Sequence, residues 1–277
     1  MLFPSKTFST IVGLILLVSC FSFISTQEET LSATEKAALE EFKLKILPKI
    51  PESSYVHKFA KDDLYLINWL RAGNWKVKSA MDLLMKHLEW RENESIDTIE
   101  KEDWANVIKE FPVFFDSVDK SGKPIIEVWF AEWQTRKAVL AGRLSTLSRM
   151  TTLAMESTSR KIWESRAEGK NVTQMIFLGE LEGASVIQHM CPACLPVYLT
   201  MATNMENHYP YFVNKLYLMN MPASFDIILR LLKPILRAST RETITPYVNK
   251  DQWMKVLDET IDKNQRSVRF GGTIVRE

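Results

Sequence analysis

The chain has 277 residues, with 35 basic and 34 acidic side chains, a size that suits one globular domain with a helical preface. So balanced a charge lacks the basic surface on which phosphate binding relies, and no nucleic-acid partner is expected. No repeat, long polar tract or Pro/Gly-rich linker interrupts the sequence.

At the N-terminus, Lys6 precedes an apolar run over residues 11–18, followed by Ser, Cys and Phe residues up to Thr26. This is the shape of a signal peptide over residues 1–26, with a cut after Thr26. The run falls short of the roughly 20 apolar residues that a membrane span needs. An uncleaved anchor over residues 2–24 is the alternative. Cleavage would remove one lysine and leave 34 basic against 34 acidic side chains. Two sequons, Asn93-Glu94-Ser95 and Asn171-Val172-Thr173, fit a secretory route, and Asn93 and Asn171 are the candidate glycan acceptors. The expected location is outside the cell or in the secretory-pathway lumen.

Residues 27–35 are polar, and Pro48 and Pro51 mark a turn between helices. From Asp62, apolar positions recur at helical spacing (Leu66, Trp69, Leu70) up to a stop at Gly73. A second helix over 77–91 sets Ala80, Leu84 and Leu88 on one stripe. The period then changes: residues 112–118 and 124–130 are β-rich runs joined by D-K-S-G, which reads as a hairpin. A long helix over 142–168 follows, then strands over 174–179 and 215–219 with a helix between them. Strands alternating with helices indicate an α/β fold, and the hairpin makes the sheet mixed. The expected organisation is a helical subdomain over 27–105 and an α/β domain over 106–277.

Catalytic constellations find no support. His57, His87, His189 and His208 accompany no G-x-S-x-G and no H-E-x-x-H, and no G-x-G-x-x-G or phosphate loop is present. Glu180 and Glu182, on one face of a strand, suit capping or ion pairing better than acid/base work. Neither an enzyme nor a cofactor is expected. In a signal-bearing chain, Cys191 and Cys194 of C-P-A-C are the only remaining thiols. They fit a small local disulfide in an oxidising compartment, or a thiol-disulfide oxidoreductase that would carry the motif at the start of a helix after a strand. With His189 they offer three metal ligands where structural zinc takes four.

Over residues 225–236, Arg230, Lys233 and Arg237 share a narrow polar sector with Asp226, and Phe225, Ile227, Ile228, Leu229, Leu231, Leu232, Ile235 and Leu236 fill most of the rest. That is more apolar surface than one sheet face covers. The segment is either a core helix with a solvated edge, or one whose surplus apolar face meets a bilayer with Arg230, Lys233 and Arg237 toward the headgroups. Pro234 removes a helical hydrogen bond and invites a kink.

The order of landmarks resembles the lipid-binding half of the CRAL-TRIO family: Leu181-Glu182-Gly183, Tyr209-Pro210, Leu218, Asn220, Pro222, Lys233-Pro234 and Phe270-Gly271-Gly272. Upstream, the helical stretch from Asp62 to Arg91 resembles the segment that precedes the pocket in that family. The resemblance implies a mixed, mostly parallel sheet as the floor of a hydrophobic pocket, helices covering it, and residues 225–236 as a mobile lid. The implied activity is binding and intermembrane transfer of one hydrophobic lipid by a monomer that touches membranes transiently. Phe130, Met150, Leu153, Met175, Phe177, Leu218, Phe225, Ile228, Leu229 and Leu232 supply the expected pocket wall.

Headgroup positions depart from part of the family. Phosphatidylinositol-transfer members resemble Y-P-E and T-x-x-K, where this chain has Tyr209-Pro210-Tyr211 and Thr240-Arg241-Glu242-Thr243. The hydroxyl pair of phosphatidylcholine binders falls on Met175 and Phe177. These residues favour a retinoid, tocopherol, isoprenoid or fatty acid, while Arg241 could stand in for the missing lysine and keep a phospholipid in play.

Overall fold

A computed structural model describes residues 31–276. The expected signal peptide, and its anchor alternative, lie outside the described residues. Among those described, no helix is long and apolar enough to cross a membrane.

The first helix, α1 (Ala33–Ile46), starts at a capping box. Glu35 N donates to the Ser32 hydroxyl at 3.3 Å, and Ser32 N donates back to the Glu35 carboxylate at 2.9 Å. Next, α2 (Asp63–Ala72) is capped by Asp62 and ends at Gly73. The absence of a side chain at Gly73 is required, because a Cβ there would lie 2.7 Å from the backbone nitrogen of Ala80 in α3 (Val77–Asn93). A short α4 (Ala105–Glu110) leads into the sheet.

The hairpin pairs β1 (Val113–Val118) with β2 (Pro124–Trp129) in antiparallel fashion. Its turn is fastened by the Asp119 carboxylate, which accepts from the backbone nitrogens of Ser121 at 2.8 Å and Lys123 at 2.7 Å. The chain continues through α5 (Thr135–Leu140), α6 (Leu144–Ala167), β3 (Met175–Glu180), α7 (Val186–His189), α8 (Leu195–His208) and β4 (Val213–Met219). It closes with α9 (Asp226–Leu232), α10 (Ala238–Thr243), β5 (Ile244–Pro246) and α11 (Lys250–Thr260). The strands stand in sequence order, β1-β2-β3-β4-β5, and every pair after the hairpin is parallel. The mixed, mostly parallel sheet is thus as expected. Strand β5, only three residues long, carries no alternation that a sequence pattern could reveal.

Period-two alternation divides the sheet's side chains. Ile125, Trp129, Ile176, Leu178, Tyr217 and Met219 pack with Trp253, Leu257 and Phe270 on the α11 side. Ile126, Val128, Met175, Phe177, Leu216 and Leu218 face the other side, which α6, α8 and α9 cover. The N-terminal helices share this second core through Phe42, Leu66, Trp69 and Leu84. Polar bonds fix them to α6: buried Arg91 meets buried Glu156 at 2.6 and 3.0 Å, Arg166 grips Asp62 at 2.6 and 2.9 Å, and Tyr55 donates to Glu164 at 2.8 Å.

The segment expected to form a lid differs from the continuous helix expected over 225–236. Phe225 ends a 3-10 turn and α9 stops at Leu232. Pro234 has no N–H to continue the ladder, and the amides of Ile235 and Leu236 both fall back on the Leu232 carbonyl, at 2.9 and 3.2 Å. The proline terminates the helix and does not merely kink it.

Candidate functional site

A cavity with about 1050 Å³ of atom-free space, part of it open to solvent, lies between the sheet and its α6, α8 and α9 cover. Its floor includes Ile126, Val128, Met175, Phe177, Leu216 and Leu218; its roof includes Met155, Met201, Met205 and Tyr198. Gly179 lets the floor close up, since a Cβ there would come within 3.1 to 3.2 Å of Leu218, Phe177 and Phe130. The aromatic end is continuous: Phe130 lies 6.2 Å from Phe177, 6.4 Å from Tyr198 and 6.5 Å from Phe225, centroid to centroid.

The polar groups in this wall are already engaged. Thr151 and Thr152 both donate to the Ser148 carbonyl, at 2.8 and 3.0 Å, and Asn204 donates to the Ser148 hydroxyl at 3.4 Å. Tyr198 donates to the His189 carbonyl at 2.9 Å, Tyr209 to Glu156 at 3.0 Å and Trp133 to the Pro112 carbonyl at 3.2 Å. Burial pushes both phenols above their ordinary range, so each stays a neutral donor. A space so lined suits an apolar guest, since the hydroxyls described in its wall are each committed to a protein partner.

Of the residues expected in a pocket wall, Phe130, Met175, Phe177, Leu218, Phe225, Ile228, Leu229 and Leu232 line the cavity. Met150 and Leu153 do not. Both are on α6, where each residue turns the side chain by about 100°. Leu153 therefore points to Ile96 and Ile99 in the N-terminal segment, and Met150 is sunk in solid core, while Thr151, Thr152, Ala154 and Met155 line the space. Helical spacing marks α6 as amphipathic without saying which neighbour occupies each side.

Helix α9 is apolar on two sides. Ile228, Leu229 and Leu232 line the cavity, whereas Ile227 and Leu231 are 53% and 45% exposed. Two of the three expected membrane-facing cations, Arg230 and Lys233, are exposed beside them, with Arg230 paired to Asp226 at 2.9 Å. Arg237 is different. Its Nη1 donates to the Glu206 carboxylate at 2.5 Å and to the Glu206 carbonyl, which commits it to the end of α8 and not to a bilayer. The pairing joins residues too far apart in sequence for a helical wheel to show it.

Beside the cavity lies a smaller polar cleft, between the end of α8, the turn before β4, and α10. Tyr211 and Thr243 both line it, with Glu206, Asn214, Ser239 and Thr240. Arg241 instead donates to the carbonyls of Leu236 at 2.6 Å and Lys233 at 3.3 Å, capping the turn that follows α9.

The model of the CRAL/TRIO domain matches residues 108–272, the stretch that builds the sheet, the cavity and α9. The chain belongs to the CRAL/TRIO domain family. Membership implies lipid binding and transfer. Among curated relatives, it is 27% identical over 252 residues to the SEC14 cytosolic factor of Eremothecium gossypii, covering 87% of this chain and 77% of that one. It is 24% identical over 185 residues to the CRAL-TRIO domain-containing protein T23G5.2 of Caenorhabditis elegans, covering 65% of this chain and 26% of that protein. In structure it is similar to Sfh5, with a TM-score of 0.69 over 89% of both chains at 15% identity, a likeness of fold.

Within this CRAL/TRIO domain, Cys191 and Cys194 form a disulfide that joins the turn after α7 to the start of α8. Cys194 is fully buried, and the motif follows a helix and not a strand, an arrangement unlike the one thiol exchange was expected to need. Among the described residues no group of three metal-ligating side chains converges. Glu180 accepts from Asn220 at 3.1 Å and from the amide of Glu182 at 2.7 Å, with Arg269 3.6 Å away, so it serves as a buried structural acceptor.

Proposed function

We propose that the protein holds a single hydrophobic lipid in the cavity and carries it between membranes, with α9 as the moving lid and with no reaction catalysed. The observation that carries this reading is the wall: a large apolar space in which each polar group is already turned to a protein partner. Extracting a tail of roughly 15 methylenes from a bilayer costs on the order of 12 kcal/mol, at about 0.8 kcal/mol each. Only a closed, dry cavity returns that much. The two-sided apolar character of α9, with Arg230 and Lys233 exposed beside Ile227 and Leu231, suits a lid that faces ligand when shut and headgroups when open.

The ligand is a small lipid of low polarity. Tyr211 and Thr243 bring no charge to the polar cleft, and the one carboxylate that lines it, Glu206, is already paired to Arg237, so an inositol phosphate finds neither a free acid nor a base there. Native mass spectrometry of the purified protein should find one co-purified lipid per chain, with the chain a monomer. Vesicle assays should find poor phosphatidylinositol transfer by the wild type and a gain in Tyr211→Glu/Thr243→Lys, neither single change sufficing because an unpaired charge at a half-buried site is costly. Robust phosphatidylinositol transfer by the wild type would overturn the ligand class, and a protein that takes up no lipid would overturn the function.

A secretory location belongs to the same proposal. Asn93 and Asn171 are exposed, so neither sequon is sterically closed, and the Cys191–Cys194 disulfide suits an oxidising compartment. N-terminal sequencing from a secreting cell should begin near Gln27 and reveal glycan at one or both asparagines. Intact Met1 with recovery from the cytosol would refute it.

A further inference from the structure

We propose that Glu206 reads the polar end of the bound lipid, and that the lipid it selects ends in an uncharged hydrogen-bond donor, a hydroxyl, and not in a phosphate or carboxylate. This rests on the lipid-binding reading and names the ligand chemistry for it.

Glu206 lies in the last turn of α8 and is buried, at 6% exposure. One carboxylate oxygen, Oε2, is taken by Arg237. The other, Oε1, is buried and has no hydrogen-bond partner among the described residues. An unsatisfied buried acceptor is costly, and folded proteins keep few of them; Glu206 lines a cleft, so a small turn of its enclosed carboxylate brings this acceptor to a donor held there. The cleft that Glu206 lines shares Met205, Tyr209 and Val213 with the apolar cavity. A tail held in the cavity therefore has its polar end within reach of this cleft.

The charge balance decides which donor. Arg237 already neutralises Glu206, so an ammonium would add an uncompensated cation to a partly enclosed site. A phosphate or carboxylate would set a second anion against Oε1. No lysine or arginine is among the residues lining the cleft to offset it. A hydroxyl donates to Oε1 without disturbing the pair. It can also accept from the hydroxyls of Ser239 and Thr240, which line the same cleft and are half-buried. The Thr243 hydroxyl already donates to the Thr240 carbonyl at 2.7 Å, which leaves its oxygen as an acceptor only.

The test is equilibrium binding of three probes with one alkyl chain: a long-chain primary alcohol, its methyl ether and its phosphate monoester. The wild type should bind the alcohol about tenfold or more tighter than the ether, the worth of a hydrogen bond to a charged group, and should bind the phosphate least. Glu206→Gln should shrink the alcohol preference to a few-fold. The double variant Glu206→Leu/Arg237→Met, which removes both partners and strands neither charge, should bind alcohol and ether alike. Equal binding of alcohol and ether by the wild type would overturn the proposal, since the free oxygen then meets only water, while leaving the lipid-binding reading intact. Tighter binding of the phosphate, or an alcohol preference that survives the double variant, would overturn it as well. A wild type that takes up neither alcohol nor ether would bring down the lipid-binding reading and this inference with it.

Discussion

Strands β2, β3 and β4 present apolar side chains to both faces of the sheet, yet one face is packed solid and the other is hollow. On the solid face, α11 brings Trp253 and Leu257, and the C-terminal segment brings Phe270, directly onto Ile125, Ile176, Leu178, Tyr217 and Met219. Trp253 finds its polar partner there too, donating to Asn220 at 3.0 Å. On the hollow face, α6 and α8 offer Thr151, Thr152, Ala154 and Ala202, too short to reach the floor, together with Met155, Met201 and Met205. Methionine is flexible and polarisable, suited to a wall that must fit a guest. Strand composition thus makes a face apolar, and the side chains of the covering helices decide whether it becomes core or cavity.

The comparison can be broken most sharply at Trp253. Trp253→Ala should cost about 3–5 kcal/mol in urea denaturation, because a close-packed face collapses poorly around the hole. A loss below about 1 kcal/mol would mean that this face is not solid.

Acid should act on the two faces with opposite sign. His208, at the end of α8, stacks on Trp90 at 3.7 Å, and its Nδ1 lies 3.3 Å from Nδ1 of buried His87 in α3. Arg91 adds its charge nearby, and the Tyr209 ring and neutral phenol adjoin the pair. Burial first, then Arg91, holds His208 down to about 4 from an ordinary 6.5, and burial, Arg91 and His208 hold His87 well below it. A depressed imidazole takes up its proton in the unfolded chain before the folded one. Stability on the cavity side is therefore complete above about pH 6.5 and falls by as much as about 3 kcal/mol as pH drops toward about 4. On the solid face, burial raises the carboxyls of Glu127 and Glu180, so their penalty is present at neutral pH and is relieved as acid protonates them. Hydrogen exchange across this range should show α3 and α8 loosening while α11 holds. Earlier opening of α11 would contradict the assignment.

Helix α9, the proposed lid, gives the smaller effects. Leu232→Asp places a carboxylate at the cavity wall and should cut lipid loading by more than about tenfold with the circular dichroism spectrum kept, since an unpaired charge against apolar ligand is expensive. An unfolded variant would instead make this wall part of the core. Lys233→Glu, at an exposed site, should leave loading from detergent unchanged and slow transfer on anionic vesicles by about 1–2 kcal/mol, since it removes one positive charge, worth about 1 kcal/mol near such a surface, and adds a negative one. Equal rates on neutral and anionic vesicles would exclude Lys233 from the membrane contact.

The element boundaries were largely legible because they depend on neighbours in sequence. The Gly73 stop, the Asp119 hairpin and the alternation in β2 and β3 are all local patterns, and the ordered landmarks from Leu181 to Gly272 carried the family. The cavity was legible only in part. Leu153 and Met155 are both apolar residues on one helix, and their different neighbours, Ile99 for one and empty space for the other, belong to how α6 is rotated in the assembled fold.

The sequence by itself determined the helical and strand periods, the apolar segment over 225–236 with Arg230 and Lys233 on its polar edge, and the uncharged side chains at Tyr211 and Thr243. Tertiary structure alone decided which apolar residues enclose space, that α9 ends before Pro234, and that Arg237 serves Glu206 across 31 positions of chain. The reason is the range of the interactions. Backbone hydrogen bonding and side-chain period are settled within a turn or a strand, whereas void, burial and ion pairing depend on which distant surfaces come to rest against one another.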